Sequence, residues 1–119
     1  MKVLGIESSS LVASVALVTD DILTAEYTVN FKKTHSQTLL PMLDEIVKML
    51  GLDLETIDAI AAAGGPGSFT GLRIGVAAAK GLAWPGKTPC AACSTLESMA
   101  WPLAHTGLEI CPVMDARRH

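Results

Sequence analysis

Apolar residues in the first part of the chain fall into three short runs, which cover residues 2–6, 11–19 and 22–31. In an extended conformation, alternate residues of the second run point to opposite sides, and both sides carry small or apolar side chains. Asp20 and Asp21 separate the second run from the third and suit a tight turn. The pattern therefore predicts three successive strands in an antiparallel meander.

The period of the pattern becomes helical from residue 39 onward. Apolar residues cover roughly half of the helix circumference, and they are Leu39, Leu40, Met42, Leu43, Ile46, Val47, Met49 and Leu50. Asp44, Glu45 and Lys48 hold the other half, and Gly51 suits a helix end. Pro41 either lies in the first turn or kinks the helix. So wide an apolar face fits either a helix in a deep groove of its own domain or one that also meets a partner chain.

The middle of the chain alternates strand and helix. Residues 57–63 predict a buried strand, which runs into the glycine-rich segment GGPGSFTGLRIG at residues 64–75, and residues 72–84 predict a helix. Small residues at four-residue spacing form a stripe along this helix: Gly71, Gly75, Ala79 and Ala83. Glycine inside a helix costs about 1 kcal/mol relative to alanine. We therefore expect another backbone to approach the stripe closely.

The last part of the chain predicts a strand at residues 88–92 and another at residues 109–114. Between them, Ser94 and Glu97 have the spacing of a capping box, which opens a helix ending near Pro102. The predicted order is β-β-β-α-β-α-β-α-β. This order is typical of an α/β domain in which helices cover a mixed sheet.

Composition fits a single folded domain that does not bind nucleic acid by itself. The chain has 119 residues, of which 50% are hydrophobic and 18% are charged, unlike a disordered chain. Its net charge is −3, whereas a surface that binds nucleic acid alone is usually basic.

Cysteine usage and hydropathy bear on the compartment. The cysteine count is odd, with Cys90, Cys93 and Cys111, and no signal-peptide pattern opens the chain, which indicates a reducing compartment. The longest uncharged run, residues 59–72, is shorter than the ~18 residues that a membrane-spanning helix needs. We expect a cytoplasmic protein with no membrane contact.

The glycine-rich segment is the first candidate for chemistry. Gly65 and Gly67, with Gly64, permit positive φ and close approach of a ligand. Ser68 or Thr70 can cap the helix, so that free amides around Gly71 point into the turn and could bind a phosphate or another anion. Arg73 in the first turn opposes the helix dipole, so we expect it near an anion or a carboxylate. The alternative is a purely structural turn.

A second candidate follows the first strand, where Glu7 precedes Ser8, Ser9 and Ser10. An acid beside hydroxyls at a strand end could hold a metal–nucleotide complex or orient a water molecule. The alternative is a polar hairpin without a ligand.

The remaining reactive residue types form no recognisable site. Cys90 and Cys93 have the spacing of a redox pair, but they fall in a strand, so we expect buried structural thiols. His35, His105 and His119 share no ligand spacing, so we expect no metal site. We also expect no nucleophilic triad.

Six motifs occur in this order along the chain: GIESSS at residues 5–10, SVAL at 14–17, HSQ at 35–37 with LLP at 39–41, GPGSFTGLRIG at 65–75, STLE at 94–97 and MDARR at 114–118. Together they resemble the TsaB family, also called YeaZ, whose members take part in threonylcarbamoyladenosine (t6A) modification of tRNA. The resemblance covers essentially the whole chain.

This resemblance implies a lobe of the actin/Hsp70/sugar-kinase (ASKHA) type with an RNase H-like core. It implies a scaffold without catalytic residues or a metal, which binds the paralogue TsaD and the ATPase TsaE. ATP and Mg²⁺ would then belong to the partner subunits, and tRNA would be contacted only indirectly.

The resemblance also implies where the partner binds. Pairing would use the helices at about residues 35–50 and 72–84, and homodimers would form through the same surface when the paralogue is absent. The expected interface residues are His35, Leu39, Leu40, Met42, Leu43, Ile46, Leu72, Gly75, Val76 and Ala79.

Two departures from the family pattern matter. Glu7 stands where members usually have Asp, which weakens any nucleotide role. The family has a second lobe after the Asp-Ala-Arg-Arg motif, and this chain ends one residue later, so we expect a single N-terminal lobe with an incomplete nucleotide cleft.

Two alternatives to the scaffold function stay open. One is the ATP-binding lobe of a sugar-kinase-like enzyme, with residues 65–73 as its phosphate loop. The other is a homologue of glycoproteases (M22-type) without peptidase activity of its own.

Overall fold

The computed structural model describes residues 1–30 and 35–116. Phe31, at the end of the third predicted strand, and Arg117 and Arg118, in the last motif, lie outside the described residues. The elements are β1 (Lys2–Glu7), β2 (Ala13–Thr19), β3 (Ile22–Val29), α1 (His35–Leu50), β4 (Ala59–Gly65), α2 (Phe69–Ala83), β5 (Cys90–Ser94) and α3 (Thr95–Ala100). Short 3₁₀ turns occupy Leu54–Thr56 and Trp101–Leu103.

The strands form one sheet in the order β3-β2-β1-β4-β5. The first three strands pair antiparallel, whereas β4 runs parallel to β1 and β5 runs parallel to β4. Gly5 in the central strand lies opposite Ala16 on one side and Ala61 on the other. The predicted meander and mixed sheet are therefore confirmed, and β1, β4 and β5 end at the same edge.

The core lies between the sheet and the two long helices. Alternate residues of β1 and β2 point into it, and the large ones are Leu4, Ile6, Val15 and Leu17. The matching face of α1 contributes Leu39, Met42, Leu43 and Ile46, all of them buried. The wide apolar face of α1 is thus largely occupied by contacts within the domain. Leu40 and Met49 remain exposed on the same helix.

Helix boundaries follow from local capping. The side chain of Ser68 accepts a hydrogen bond from the Gly71 amide, so α2 begins at Phe69, earlier than predicted. The side chain of Ser94 accepts from the Glu97 amide, which confirms one half of the capping box. Since α1 begins at His35, Pro41 lies in its second turn and not in its first.

The final predicted strand is wrong. Residues 109–114 have no regular structure, and the order of elements ends with α3 and a 3₁₀ turn. A strand needs a paired neighbour for its amides and carbonyls, and no described strand pairs with this segment. No helix within the described ranges is long and apolar enough to cross a membrane.

Adjacent positions on α1 provide a test of this packing. Leu39 is 3% exposed and Leu40 is 55% exposed. Leu39→Asp places an unpaired carboxylate in the core and should lower the free energy of unfolding by about 3 kcal/mol or more. Leu40→Asp should change it by less than about 1 kcal/mol. Urea denaturation followed by circular dichroism measures both, and equal effects would contradict the orientation of α1.

Candidate functional site at the glycine-rich turn

The segment after β1 and the start of α2 are joined by hydrogen bonds. The Ser8 hydroxyl donates to the Gly71 carbonyl oxygen at 2.7 Å, and the Ser68 amide donates to the Ser9 carbonyl oxygen at 2.7 Å. Both Ser8 and Ser9 are buried. The two sequence candidates, one after β1 and one at the glycine-rich turn, therefore form a single packed unit.

Three glycines make this contact possible. A Cβ atom at Gly67 would lie 2.6 Å from the Ser9 carbonyl oxygen, and one at Gly71 would lie 2.2 Å from the Ser8 carbonyl oxygen. A Cβ atom at Gly75 would lie 2.2 Å from the Ser8 hydroxyl oxygen. The predicted close approach is confirmed at Gly71 and Gly75, where the nearest group is Ser8 in the segment that follows β1.

Three amides of the turn and the start of α2 bond to protein oxygens. The Ser68 amide bonds to Ser9, the Gly71 amide to the Ser68 side chain at 3.2 Å, and the Leu72 amide to the Ser68 carbonyl oxygen at 2.8 Å. Gly65 has φ +121°, which only glycine adopts readily. These contacts favour the structural alternative for the turn, while anion binding stays a prediction.

The polar residues around the turn have specific partners. The Glu7 carboxylate accepts a hydrogen bond from the Ser9 amide at 2.7 Å and so closes the loop that follows β1. Arg73 makes no salt bridge within the described residues, and its guanidinium lies 5.2 Å from the Phe69 ring centroid. No carboxylate of the described residues pairs with Arg73, and a bound anion beside it stays a prediction. Phe69, which sequence reasoning overlooked, takes that place through a cation–π contact.

His35 links α1 to the same unit. Its Nε2 atom lies 2.5 Å from the Ser10 carbonyl oxygen, so this nitrogen carries the proton. Its Nδ1 atom is buried and has no partner in the described part of the chain. The ring also lies against Gly71, since a Cβ atom there would be 3.1 Å from His35 Cδ2. Half-buried His35 thus connects the start of α1 to the loop after β1 and to α2, contacts that its sequence spacing did not predict.

The fold places the residues predicted for the partner interface at different depths in the domain. Most of its residues are buried in the domain's own core, and these are Leu39, Met42, Leu43, Ile46, Gly75 and Ala79. His35, Leu72 and Val76 are half-buried, and Leu40 is exposed. Buried residues cannot contact a partner while the domain stays folded, so an interface on these helices would use their outer faces.

Neither a metal site nor a redox pair is evident. The described ranges contain no group of three or more His, Cys, Asp or Glu side chains placed to hold a metal. Cys90 and Cys93 are exposed, so the expectation of buried thiols was wrong. Three positions apart in β5, they point to opposite faces of the sheet, which prevents a disulfide between them.

Comparison with known proteins places this geometry in a family. The sequence model described as TsaD, tRNA N6-adenosine threonylcarbamoyltransferase, matches residues 24–119. The chain belongs to the TsaD family. The resemblance to TsaB proteins is confirmed as well. The TsaB protein of Bacillus subtilis is 38% identical over 118 residues, which are 99% of this chain and 52% of that protein. TsaB of Escherichia coli is 40% identical over 100 residues, or 84% of this chain and 43% of that protein.

A solved structure supports the same family assignment. YeaZ from Pseudomonas aeruginosa superposes with a TM-score of 0.76 at 33% identity, covering 85% of this chain and 48% of that one. The ASKHA and RNase H-like fold class is thereby confirmed. This TsaD-family chain spans about half the length of the relatives it matches.

A double-mutant cycle tests the packing at Gly75. Gly75→Ala should cost about 1–3 kcal/mol, because the new methyl group meets the Ser8 hydroxyl. Ser8→Ala should cost about 1–2 kcal/mol through the lost hydrogen bond to Gly71. In the double variant the methyl lies 3.4 Å from the Ser8 Cβ atom. The double variant should therefore be more stable than the sum of the single costs predicts, by about 1 kcal/mol.

Gly81→Ala on the same helix is the matched control. Nothing lies within 4 Å of a Cβ atom at Gly81, so this change should stabilise the domain by about 0.5–1 kcal/mol. Additive costs at Ser8 and Gly75, measured by chemical denaturation, would contradict the contact.

Proposed function

We propose that this chain acts as a non-catalytic subunit in t6A synthesis at adenosine 37 of tRNA, and that it binds a TsaD paralogue and the ATPase TsaE. The observation that carries the proposal is the match to a TsaB protein along almost the entire chain, including the unit built from Ser8, Ser9 and the glycine-rich turn. The chemistry would take place on the partner subunits, where ATP and Mg²⁺ would bind. The protein would work in the cytoplasm.

The outer faces of α1 and α2 are the surface that we propose for the partner. Leu40 and Pro41 are exposed on α1, and Leu72 and Val76 are half-buried on α2. Both helices pack on the same side of the sheet, so these residues belong to one side of the domain. Exposed and half-buried apolar side chains on these helices suit a helix–helix interface.

Charge is divided between the two helices. Exposed Asp44 and Glu45 lie on α1, and exposed Arg73 and Lys80 lie on α2. Lys48 bonds to Asp44 at 2.8 Å, and this contact raises the pKa of Lys48. A partner of the same fold that set its α2 against this α1 would bring opposite charges together. This charge arrangement would favour association with a paralogue, and with a second copy of this chain when the paralogue is absent.

Contact with tRNA would be indirect. A net charge of −3 gives little attraction for phosphate. At the turn, the Ser68 and Gly71 amides already bond to protein oxygens, so these two amides are not free to bind a phosphate. The same geometry disfavours the alternative of an ATP-binding lobe of a sugar-kinase-like enzyme. Micromolar binding of ATP and Mg²⁺ to the purified chain, measured by calorimetry, would instead favour the sugar-kinase-like alternative.

Reconstitution tests the proposed function. The purified chain should replace TsaB in a reaction that contains TsaD, TsaE, tRNA, ATP and the threonylcarbamoyl donor, with t6A measured by mass spectrometry of digested tRNA. We expect t6A only when both this chain and TsaD are present. Modification that proceeds equally without the chain, or with the chain alone, would contradict a supporting role.

Charge reversal tests the proposed interface. Glu45→Arg or Arg73→Glu alone should weaken association with TsaD or with a second copy by about tenfold or more. Carrying both changes in one chain should restore self-association if α1 faces α2 of the second copy. Glu55→Arg, on the exposed 3₁₀ turn, is the control and should leave association unchanged. Analytical ultracentrifugation measures the dissociation constants, and equal effects of Glu45→Arg and Glu55→Arg would show that the interface lies elsewhere.

A further inference from the structure

A cleft of about 500 Å³ lies at the end of β1 that is opposite to the glycine-rich turn. The start of β1, the end of β2, the first residues of β3, the end of α1 and the 3₁₀ turn at Leu54–Thr56 contribute to its lining. This volume is typical of sites for small molecules. No residue of the glycine-rich turn or of α2 lines the cleft, so it is separate from the site described above.

Part of the lining is apolar. Leu17 from β2 is 2% exposed, Leu52 is half-buried, and Leu50 at the end of α1 is 40% exposed. The strand pairing is irregular at the same place, since Thr24 is an extra residue of β3 that has no partner opposite it in β2. Such a bulge turns a side chain away from its regular direction, and Thr24 also lines the cleft.

One cation and one anion line the cleft without forming a salt bridge. Half-buried Lys2 donates from Nζ to the Thr56 hydroxyl oxygen at 3.2 Å, and no described carboxylate lies within salt-bridge distance of it. The Thr56 hydroxyl donates to the Asp53 carbonyl oxygen at 2.6 Å. The Asp53 carboxylate accepts the Glu55 amide through one oxygen at 2.9 Å, which leaves its other oxygen for a ligand. Thr56 thus connects the two opposite charges.

The nearby acids are engaged elsewhere and do not neutralise Lys2. The Asp20 carboxylate pairs with the N-terminal ammonium group. The Asp58 carboxylate accepts the backbone amide of Lys2 at 2.7 Å, and not its side chain. The ammonium group of Lys2 therefore has a hydroxyl as its partner and can still donate to an anion.

The end of α1 adds negative potential to the lining. Gly51, with φ +57°, follows the helix, and the Leu52 amide bonds to the Val47 carbonyl oxygen at 3.0 Å. Carbonyl groups in the last turn carry the negative end of the helix dipole, and Leu50 in that turn lines the cleft. A ligand ammonium group is therefore favoured near Asp53 and the end of α1, and a ligand carboxylate near Lys2.

We infer that the cleft binds a zwitterionic α-amino acid with an aliphatic side chain. Its carboxylate would bond to Lys2 and the Thr56 hydroxyl, its ammonium group to Asp53, and its side chain would contact the three leucines. The charged groups of an α-amino acid are separated by a single carbon atom, which suits two charges connected through one threonine. A ligand with one charge would leave either Lys2 or Asp53 without a partner.

Ligand analogues test the charge pattern on the unmodified chain. L-Leucine at millimolar concentrations should shift the amide resonances of Thr19, Asp53 and Thr56 in a saturable way in nuclear magnetic resonance spectra. Isocaproate lacks the amino group of leucine, and isoamylamine lacks its carboxylate. Each should bind at least about tenfold more weakly than leucine, because one charge of the cleft then has no partner.

Substitutions test the position of the ligand. Lys2→Met removes the ammonium group, whereas Asp53→Asn removes the charge and keeps an oxygen that can cap the 3₁₀ turn. Each should raise the Kd for leucine at least about tenfold. Lys80→Met and Glu55→Gln are the matched controls, since neither residue lines the cleft, and they should leave the Kd unchanged.

Three results would overturn the inference. Leucine that gives no saturable shift at tens of millimolar would show that the cleft holds no amino acid. Isocaproate that binds as well as leucine would show that the ammonium group is not recognised. An unchanged Kd in Lys2→Met would place the ligand elsewhere. All of these measurements use the chain without TsaD, so they do not depend on the outcome of the t6A reconstitution.

Discussion

The segment that leaves β1 packs tightly against the glycine side of α2. A side chain at Gly71 would put its first carbon 2.2 Å from the Ser8 carbonyl oxygen, well inside the distance at which such atoms can meet. Neither side can easily move away. β1 is the central strand and is paired on both edges, while α2 is capped by Ser68 directly after the turn. The tilt of α2 and the path of the chain after β1 are therefore set together.

The rest of the structure is arranged around this contact. His35 at the start of α1 reaches the Ser10 carbonyl oxygen and lies against Gly71, so the first turns of both helices meet the same loop. With the inner faces of α1 and α2 committed to the sheet, their outer faces remain for association. In the proposed function, the glycine-rich segment would contribute by fixing the relative position of the two helices.

Much of this could be read from the sequence, because local patterns determine it. The periods of apolar residues predicted the meander, both long helices and the strand before the glycine-rich turn. The four-residue spacing of Gly71, Gly75, Ala79 and Ala83 predicted close packing, but spacing alone cannot say which group approaches. That required knowing that β1 ends beneath the start of α2, which is a property of the sheet order.

The predictions that failed were made from local sequence patterns, which do not show what surrounds a residue in the fold. An apolar face on α1 looks identical whether it meets its own sheet or another chain, and the family resemblance placed Leu39 in an interface although it lies in the core. Arg73 was expected near a carboxylate because of the helix dipole, yet Phe69, four residues earlier on the same helix, was available as a partner. Residues 109–114 have the pattern of a strand, but a strand forms only where a neighbour supplies its hydrogen bonds.

The hydrogen bond from the Ser68 amide to the Ser9 carbonyl oxygen is the most direct measure of whether the turn is closed on the protein. Nuclear magnetic resonance detects such a bond as a scalar coupling between the Ser68 amide nitrogen and the Ser9 carbonyl carbon. The packed turn predicts a coupling that is present in the free chain and unchanged by millimolar phosphate or by ATP with Mg²⁺. An absent coupling would contradict the packed turn. A coupling that disappears while phosphate shifts the amide resonances of Ser68 and Gly71 in a saturable way would also contradict it and would favour an anion site at the turn.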